Sequence, residues 1–210
     1  MIDKLKTYLV KNEKAKAHQI VDQNIKSRKD LINFYEEVIP SILNAIHCEE
    51  NDPECVWLEH QMSSIVRSII EVSYKHVITF KQNLSQKKHV LIALPQEETH
   101  EMGALIGANL FELYGFKTTY IGANTPYFTL RDAVRYAKPD YVVLSVTNTY
   151  NVFTLNKVLS KLKEEFPHVI LIGSGRGVKH HYDKLTLDAY IASTDDLKHF
   201  MEQEGLSCSH

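Results

Sequence analysis

None of the eight glycines lies in the first hundred residues, so turns that depend on glycine are confined to the second half of the chain. Long apolar runs are missing too. Nothing approaches the roughly 20 residues that a membrane helix needs, and the opening stretch MIDKLKTYLVKNEKAK has no signal-peptide apolar region, which predicts a cytoplasmic protein. Cysteine is scarce: Cys48, Cys55 and Cys208, an odd number in a chain of 210 residues, argue against a disulfide framework. Cys48 and Cys55, with His47 and His60 nearby, raise the question of zinc, but six residues between them is a wider gap than the tight pairs of structural zinc sites. An excess of charge is also absent. Lys and Arg number 24 against 26 Asp and Glu, a formal charge of -2, so the chain offers no basic footprint and direct nucleic-acid binding is not expected. What is present is an ordinary packed-core mixture, 44% hydrophobic and 24% charged, in a length that permits two modules.

The hydrophobic pattern changes near residue 85. Before it, Leu31, Phe34, Tyr35, Val38, Ile42 and Ile46 form one stripe at helical spacing, and Met62, Ile65, Val66, Ile69 and Ile70 form another. The spacing predicts helices over about 3–26 (broken near Asn12), 28–47 and 53–82. Pro40 is a kink point, Asp52 an N-cap, and Pro53 the first residue of its helix. This is a small helical bundle over residues 1–84. From residue 88 to 210, short apolar runs (89–94, 118–122, 141–146, 168–173 and 189–192) alternate with helical segments (101–114, 128–137, 152–165 and 194–204). Such alternation predicts a flavodoxin-like α/β module, a five-stranded parallel sheet in the order 2-1-3-4-5, joined to the bundle through residues 82–88.

In a sheet of this kind ligands sit beyond the carboxyl ends of the strands, where the winding reverses. That rule selects the loop LPQEETHEMG (94–103), the strand end LSVTNT (144–149) and, beside them, GSGRG (173–177). Glu98, His100 and Gly103 form E-x-H-x-x-G ahead of a helix. A histidine there can offer one ring nitrogen to a metal while a carboxylate two residues earlier takes the other N–H and fixes the tautomer. Gly103 and Gly107 clear one face of the following helix. On spacing alone, a solvated acidic loop with a surface histidine remains the alternative. Glu97 and Glu101 read as solvent-facing acids, and Arg176 to His181, with the His180-His181 pair, as a solvated helix start that could also meet a phosphate.

Glu98-Thr99-His100-Glu101-Met102-Gly103, then Ser145-Val146-Thr147, then Gly173-Ser174-Gly175 resemble the signature D/E-x-H-x-x-G, S-x-L or S-x-T, and a glycine pair. That signature belongs to the cobalamin-binding domains of methionine synthase, corrinoid methyl carriers and CarH- or LitR-type light-sensing regulators. GFKTTYIGANTP (115–126) is similar to the family's second-strand segment, and the helical first half is similar to its cap over the corrinoid. The resemblance implies cobalamin bound with its base detached and His100 as the lower cobalt ligand. Glu98 would orient the imidazole, Ser145 and Thr147 would offer hydroxyls to the buried base, and Gly173 and Gly175 would leave room for the nucleotide tail.

The Glu of the motif looks more like the light-sensing regulators than the methyl carriers. In that group the cap supplies a tryptophan and, about ten residues later, a Glu-His pair over the upper face. Glu59-His60 match that pair, but position 49 is glutamate, and the single tryptophan, Trp57, reads as a bundle-core residue. A three-residue insertion would make His47 an upper ligand. Glu59 shares a helical face with Met62 and Val66 and is expected to point inward. The regulators begin with a DNA-reading module that is not expected here. The resemblance therefore implies a cobalamin-binding sensor working through a protein partner or self-association, more a regulator than an enzyme. The alternatives are a corrinoid methyl-carrier subunit, a haem sensor on the same fold, and a ligand-free scaffold. The adenosyl, methyl or hydroxo form is left open.

Overall fold

The computed structural model describes residues 1–45 and 52–209. His47, together with Ile46, Cys48 and Glu49, lies outside the described residues, so the His47 expectation does too. The chain divides into two compact units, Met1–Phe80 and Lys81–His210. No described helix is long and apolar enough to cross a membrane.

The first unit is helical. α1 (Ile2–Val10) and α2 (Lys14–Asn24) are separated at Asn12, whose φ of 54° is one that asparagine tolerates better than most residues. α3 (Arg28–Asn33) begins with a reciprocal cap: Ser27 accepts from the Asp30 N–H, and its own hydroxyl donates to the Asp30 carboxylate. A π-helical turn over Phe34–Val38 then leads into α4 (Ile39–Leu43). Pro40 has no N–H to give to the preceding turn, and the widened turn absorbs that loss, where the pattern alone predicts a kink. α5 (Pro53–Phe80) starts as expected, with Asp52 accepting from the Cys55 N–H at 3.1 Å. Cys55 itself is disulfide-bonded, and Cys208 is a free thiol.

The stripe Met62, Ile65, Val66, Ile69, Ile70 and Val77 of α5 packs with Leu5, Leu9, Ala17, Val21, Leu31, Phe34 and Tyr35. Each large side chain so buried contributes about 1.5–3 kcal/mol of hydrophobic stabilisation before entropy is charged against it. Buried polar groups in that packing are satisfied: Tyr35 Oη and Ser73 Oγ lie 2.6 Å apart, and Ser73 Oγ reaches the Ile70 carbonyl at 2.7 Å.

The second unit carries a five-stranded parallel sheet of β2 (His89–Pro95), β3 (Lys117–Thr125), β4 (Tyr141–Ser145), β5 (Ile170–Ser174) and β6 (Ala189–Tyr190). Its order is β3-β2-β4-β5-β6, which is 2-1-3-4-5 counted along the chain. β2 and β4 are buried at every residue, hence their unbroken apolar runs. The two-residue period assigns their faces. Leu91, Ala93, Val142 and Leu144 pack with α7 (Tyr127–Ala137) and α8 (Val152–Glu165). Ile92, Val143 and Ser145 face the other way, towards α6 (Met102–Leu113) and α10 (Thr194–Gln203). α9 (Arg176–Lys179) is a single turn after β5. Residues 83–84, read above as connection, form a short strand β1 (Asn83–Leu84), antiparallel to β7 (Cys208–Ser209). Gly115 sits under that pair with φ 91°; a Cβ there would come within 2.6 Å of the Gln82 carbonyl oxygen.

Candidate functional site

Parallel strands send all their carboxyl ends to one edge, and the loops 96–101, 146–151 and 174–177 meet there. Glu98 is the hub. Its side chain is 0% exposed, and an isolated carboxylate in that position would be strongly disfavoured. Five donors reach it. Oε2 accepts from the backbone N–H groups of Thr147 and Asn148, each at 3.0 Å, and from Asn151 Nδ2 at 3.3 Å, while Oε1 accepts from the His100 N–H at 3.1 Å and from His100 Nδ1 at 2.6 Å. Burial by itself pushes the Glu98 carboxyl up. The hydrogen bonds from Asn148, from the His100 ring and backbone, and from Asn151 outweigh it and hold the pKa at about 2.

An ionised carboxylate only accepts, so the proton of a neutral His100 ring is assigned to Nδ1 and the lone pair to Nε2. The ring is 58% exposed. The result is an imidazole clamped on one nitrogen and available on the other. Among the described residues no three His, Cys, Asp or Glu side chains gather to hold a metal ion. One imidazole can add a single bond to a metal whose other ligands come from elsewhere, as a macrocycle provides them.

The loop that carries this pair is pinned to β3. Glu97 donates its N–H to Asn124 Oδ1 and Asn124 returns its N–H to the Glu98 carbonyl, both at 2.9 Å; Asn151 Nδ2 also reaches the Glu97 carbonyl at 3.3 Å. Glu97 (φ 71°) and Asn124 (φ 51°) both hold left-handed backbone, strain that the cross-linking sustains. Glu101, expected in solvent, instead accepts from Tyr120 Oη at 3.1 Å.

Beside the pair opens a cleft between α6 and α10 over the sheet, about 500 Å³ counting its mouth. Gly103, Gly107 and Ser145 line it, together with Ser174 of the glycine-pair motif and Ser193, which no sequence motif marks. A Cβ added at Gly103 or Gly107 would meet nothing within 4 Å. The glycines after β5 behave differently. A Cβ at Gly173 would come 2.6 Å from side-chain atoms of Val178 and Leu187, and one at Gly175 (φ 90°) would collide with the Val146 carbonyl. These two glycines permit close packing of the protein on itself, and the open space lies along α6. Thr147 serves the site through its backbone N–H. Arg176 and Lys179 are exposed on α9 and His180 just beyond it, and His181 Nδ1 contacts the Gly177 carbonyl at 3.1 Å.

In the first unit, Glu59 and His60 are exposed on the early turns of α5. Met62 and Val66 are buried while Glu59 is not, because the buried part of α5 begins only at Met62, beyond the helix's first turns. Trp57 is 63% exposed, contrary to its reading as a core residue. Asn151 and Asn124 went unnoticed in the sequence. Asn151 stands just ahead of the apolar run of α8, where an asparagine reads as a helix start.

Comparison with known proteins gives the following. The family model described as B12 binding domain matches residues 88–196, just over half of the chain. The HTH-type transcriptional repressor CarH of Myxococcus xanthus is 26% identical over 163 residues, 78% of this chain and 53% of the relative, so the chain spans about half of that protein's length. Among solved structures, the monomethylamine corrinoid protein of Methanosarcina barkeri superposes with a TM-score of 0.74 at 15% identity, over 96% of this chain and 97% of the other. A cobalamin-binding protein from Desulfitobacterium hafniense DCB-2 gives 0.52 at 14% identity, over 97% and 98% of the two chains. The methanol:cobalamin methyltransferase complex MtaBC of Methanosarcina barkeri gives 0.51 at 15%, over 95% and 77%. At these identities the structural matches speak for the fold.

Proposed function

The chain belongs to the B12-binding domain family, and on that premise we propose that it is a cobalamin-dependent sensor with His100 as the lower axial ligand of cobalt. The observation that carries the ligand assignment is the Glu98–His100 pair: a fully buried, ionised carboxylate fixing Nδ1 and leaving Nε2 of an exposed ring free. The residues fit the cofactor in a second respect. A detached nucleotide tail needs a cleft next to the ligand, and Gly103 and Gly107 border open space there. Ser145 offers the tail a hydroxyl. Thr147 and Asn148 hold the carboxylate, and Gly173 and Gly175 keep the β5 turn closely packed. Glu59 and His60, which the resemblance assigns to the upper face of the ligand, are both exposed on α5. When bound, cobalamin supplies a cobalt–ligand bond whose making or breaking is either the signal or the carried group.

The sensory reading rests on the likeness to the CarH repressor and on glutamate in the motif. Its output goes to a protein partner or to self-association. A second reading, a corrinoid methyl carrier serving separate methyltransferase subunits, is favoured by the glutamate at position 49, where the light-sensing regulators place a tryptophan. The family match supports cobalamin and lends no support to haem.

The test is to load the protein in the dark with adenosyl-, methyl- and hydroxocobalamin, then record spectra and mass before and after green light. Base-off spectra that return towards base-on in His100→Ala carry the ligand assignment. Light-driven bleaching or a change of mass carries the sensor, whereas methyl exchange with a supplied methyltransferase carries the second reading. An unchanged spectrum and affinity in His100→Ala refute the assignment.

A further inference from the structure

The cleft beside His100 is graded in polarity. Its hydroxyls, from Ser145, Ser174 and Ser193, stand at the carboxyl ends of strands and at the cap of α10, and Ser145 and Ser174 are register partners across β4 and β5. Two residues earlier in the same register the lining is apolar: Val143 pairs with Ile172 on one side and with Ile92 on the other. Two strand residues move the lining roughly 6–7 Å inward. α6 runs the opposite way, so Leu110 lies about 10 Å further from the mouth than Gly103. The inner end is closed by Phe111, whose ring packs edge-on against Phe116 at 5.2 Å. Phe116 in turn meets Tyr141 at 6.1 Å, and Tyr141 meets Phe200 at 5.2 Å. Among the cleft-lining residues, no inner side chain carries a hydrogen-bonding group.

From this grading we propose that the cleft selects the lower base of the corrinoid, accepting a benzimidazole and discriminating against a purine. The proposal rests on the reading that the base detaches and enters the cleft. An adenine base carries an exocyclic amine and two ring nitrogens where dimethylbenzimidazole carries only C–H and methyl groups. At the inner end those polar groups would give up water and find no partner, whereas the methyl groups would meet Ile92, Val143, Leu110 and Phe111. The ribose and phosphate that follow the base would lie near the serine hydroxyls. A purine nitrogen is also the less basic donor to cobalt and detaches more easily, so any preference for the benzimidazole must come from the cleft and not from the ease of opening.

The experiment measures dissociation constants of the full chain for hydroxocobalamin, its adenine-base analogue and cobinamide, which has no base, by spectral titration and calorimetry. Expected is binding of cobalamin roughly tenfold to a hundredfold tighter than the adenine analogue, with cobinamide also weaker. Equal affinity for cobalamin and its adenine analogue overturns the selectivity and leaves the His100 ligand standing. Equal affinity for cobalamin and cobinamide overturns entry of the base into the cleft. If none of the three shifts its cobalt bands, the cobalamin reading falls and the selectivity with it. A Val143→Thr variant, with its fold checked by circular dichroism, places a hydroxyl at the inner lining and should narrow the cobalamin-to-adenine ratio severalfold. An unchanged ratio in the folded variant overturns the placement of the base.

Discussion

A Gly107→Ala substitution is expected to raise the melting temperature of the free protein while weakening its hold on cobalamin. Gly107 is the sixth residue of the twelve in α6, in the helix interior, where alanine is favoured over glycine by about 1 kcal/mol. Nothing in the structure opposes the change: the added Cβ meets no heavy atom within 4 Å. For a unit of this size, 1 kcal/mol corresponds to a rise on the order of 3 °C. With cobalamin present the same methyl group enters the space assigned to the tail. Overpacking a filled site costs about 1–3 kcal/mol, or roughly fivefold to 150-fold in affinity. A Gly107→Leu side chain would fill more of the cleft and should abolish tight binding. Scanning calorimetry without ligand and a spectral titration with hydroxocobalamin read the two effects separately. If the alanine variant melts lower than the parent, Gly107 is there for the packing of α6. If it binds cobalamin as tightly as the parent, the cleft beside α6 is not where the tail goes. Either result refutes the reasoning.

Asn151→Ala removes one of the three donors to Glu98 Oε2 and should cost about 0.5–1.5 kcal/mol in cobalamin affinity, a twofold to tenfold loss in a titration; Asn151→Ser should recover part of it. Glu98→Gln leaves a group that can no longer accept at every position, so Nδ1 loses its fixed role, and the cobalt–nitrogen bond should exchange faster in stopped-flow displacement by cyanide. A pH effect is expected at the opposite edge of the sheet. His89 lies buried at the start of β2 against Thr119 Oγ1, 2.9 Å from its Nε2. Its pKa is lowered by that burial and by the nearby Lys117 charge, against weaker upward pulls from the Ala137 backbone and Asp140. A histidine depressed in the folded state binds its proton more readily when unfolded. Its stabilising contribution is therefore full above 6.5 and is lost as pH falls from 6.5 through the lowered folded value. Denaturant melts from pH 7.5 to 5 should show a loss of stability that shrinks in His89→Gln; an identical pH slope in the two proteins would contradict the assignment.

Strand and helix positions in the second unit could be read from the sequence to within a few residues, because β2 and β4 are buried on both faces and α7 and α8 keep one apolar stripe each. The short pair β1 and β7 could not. Two residues have no period, and their partners lie more than a hundred positions away. The Glu98–His100 pair was legible because both members sit in one short motif, whereas Asn151 and Asn124 reach the same loop only through the fold. Errors clustered where a local pattern meets a three-dimensional boundary. Helical spacing puts Glu59 on the face of Met62, but spacing does not say at which turn burial begins. Glycine at 173 and 175 announces a close approach without saying whether ligand or protein approaches, and here it is Val178, Leu187 and the Val146 carbonyl.

The antiparallel pairing of residues 83–84 with 208–209 brings the entrance and the exit of the second unit side by side. The unit thus traces an almost closed contour. A short linker spanning that gap, with new ends cut at the exposed residues 182–184, should give a circular permutant that still folds. The same adjacency means that a fluorescent tag on the carboxyl end would report from the corner where the second unit begins, far along the strands from the edge where His100 stands.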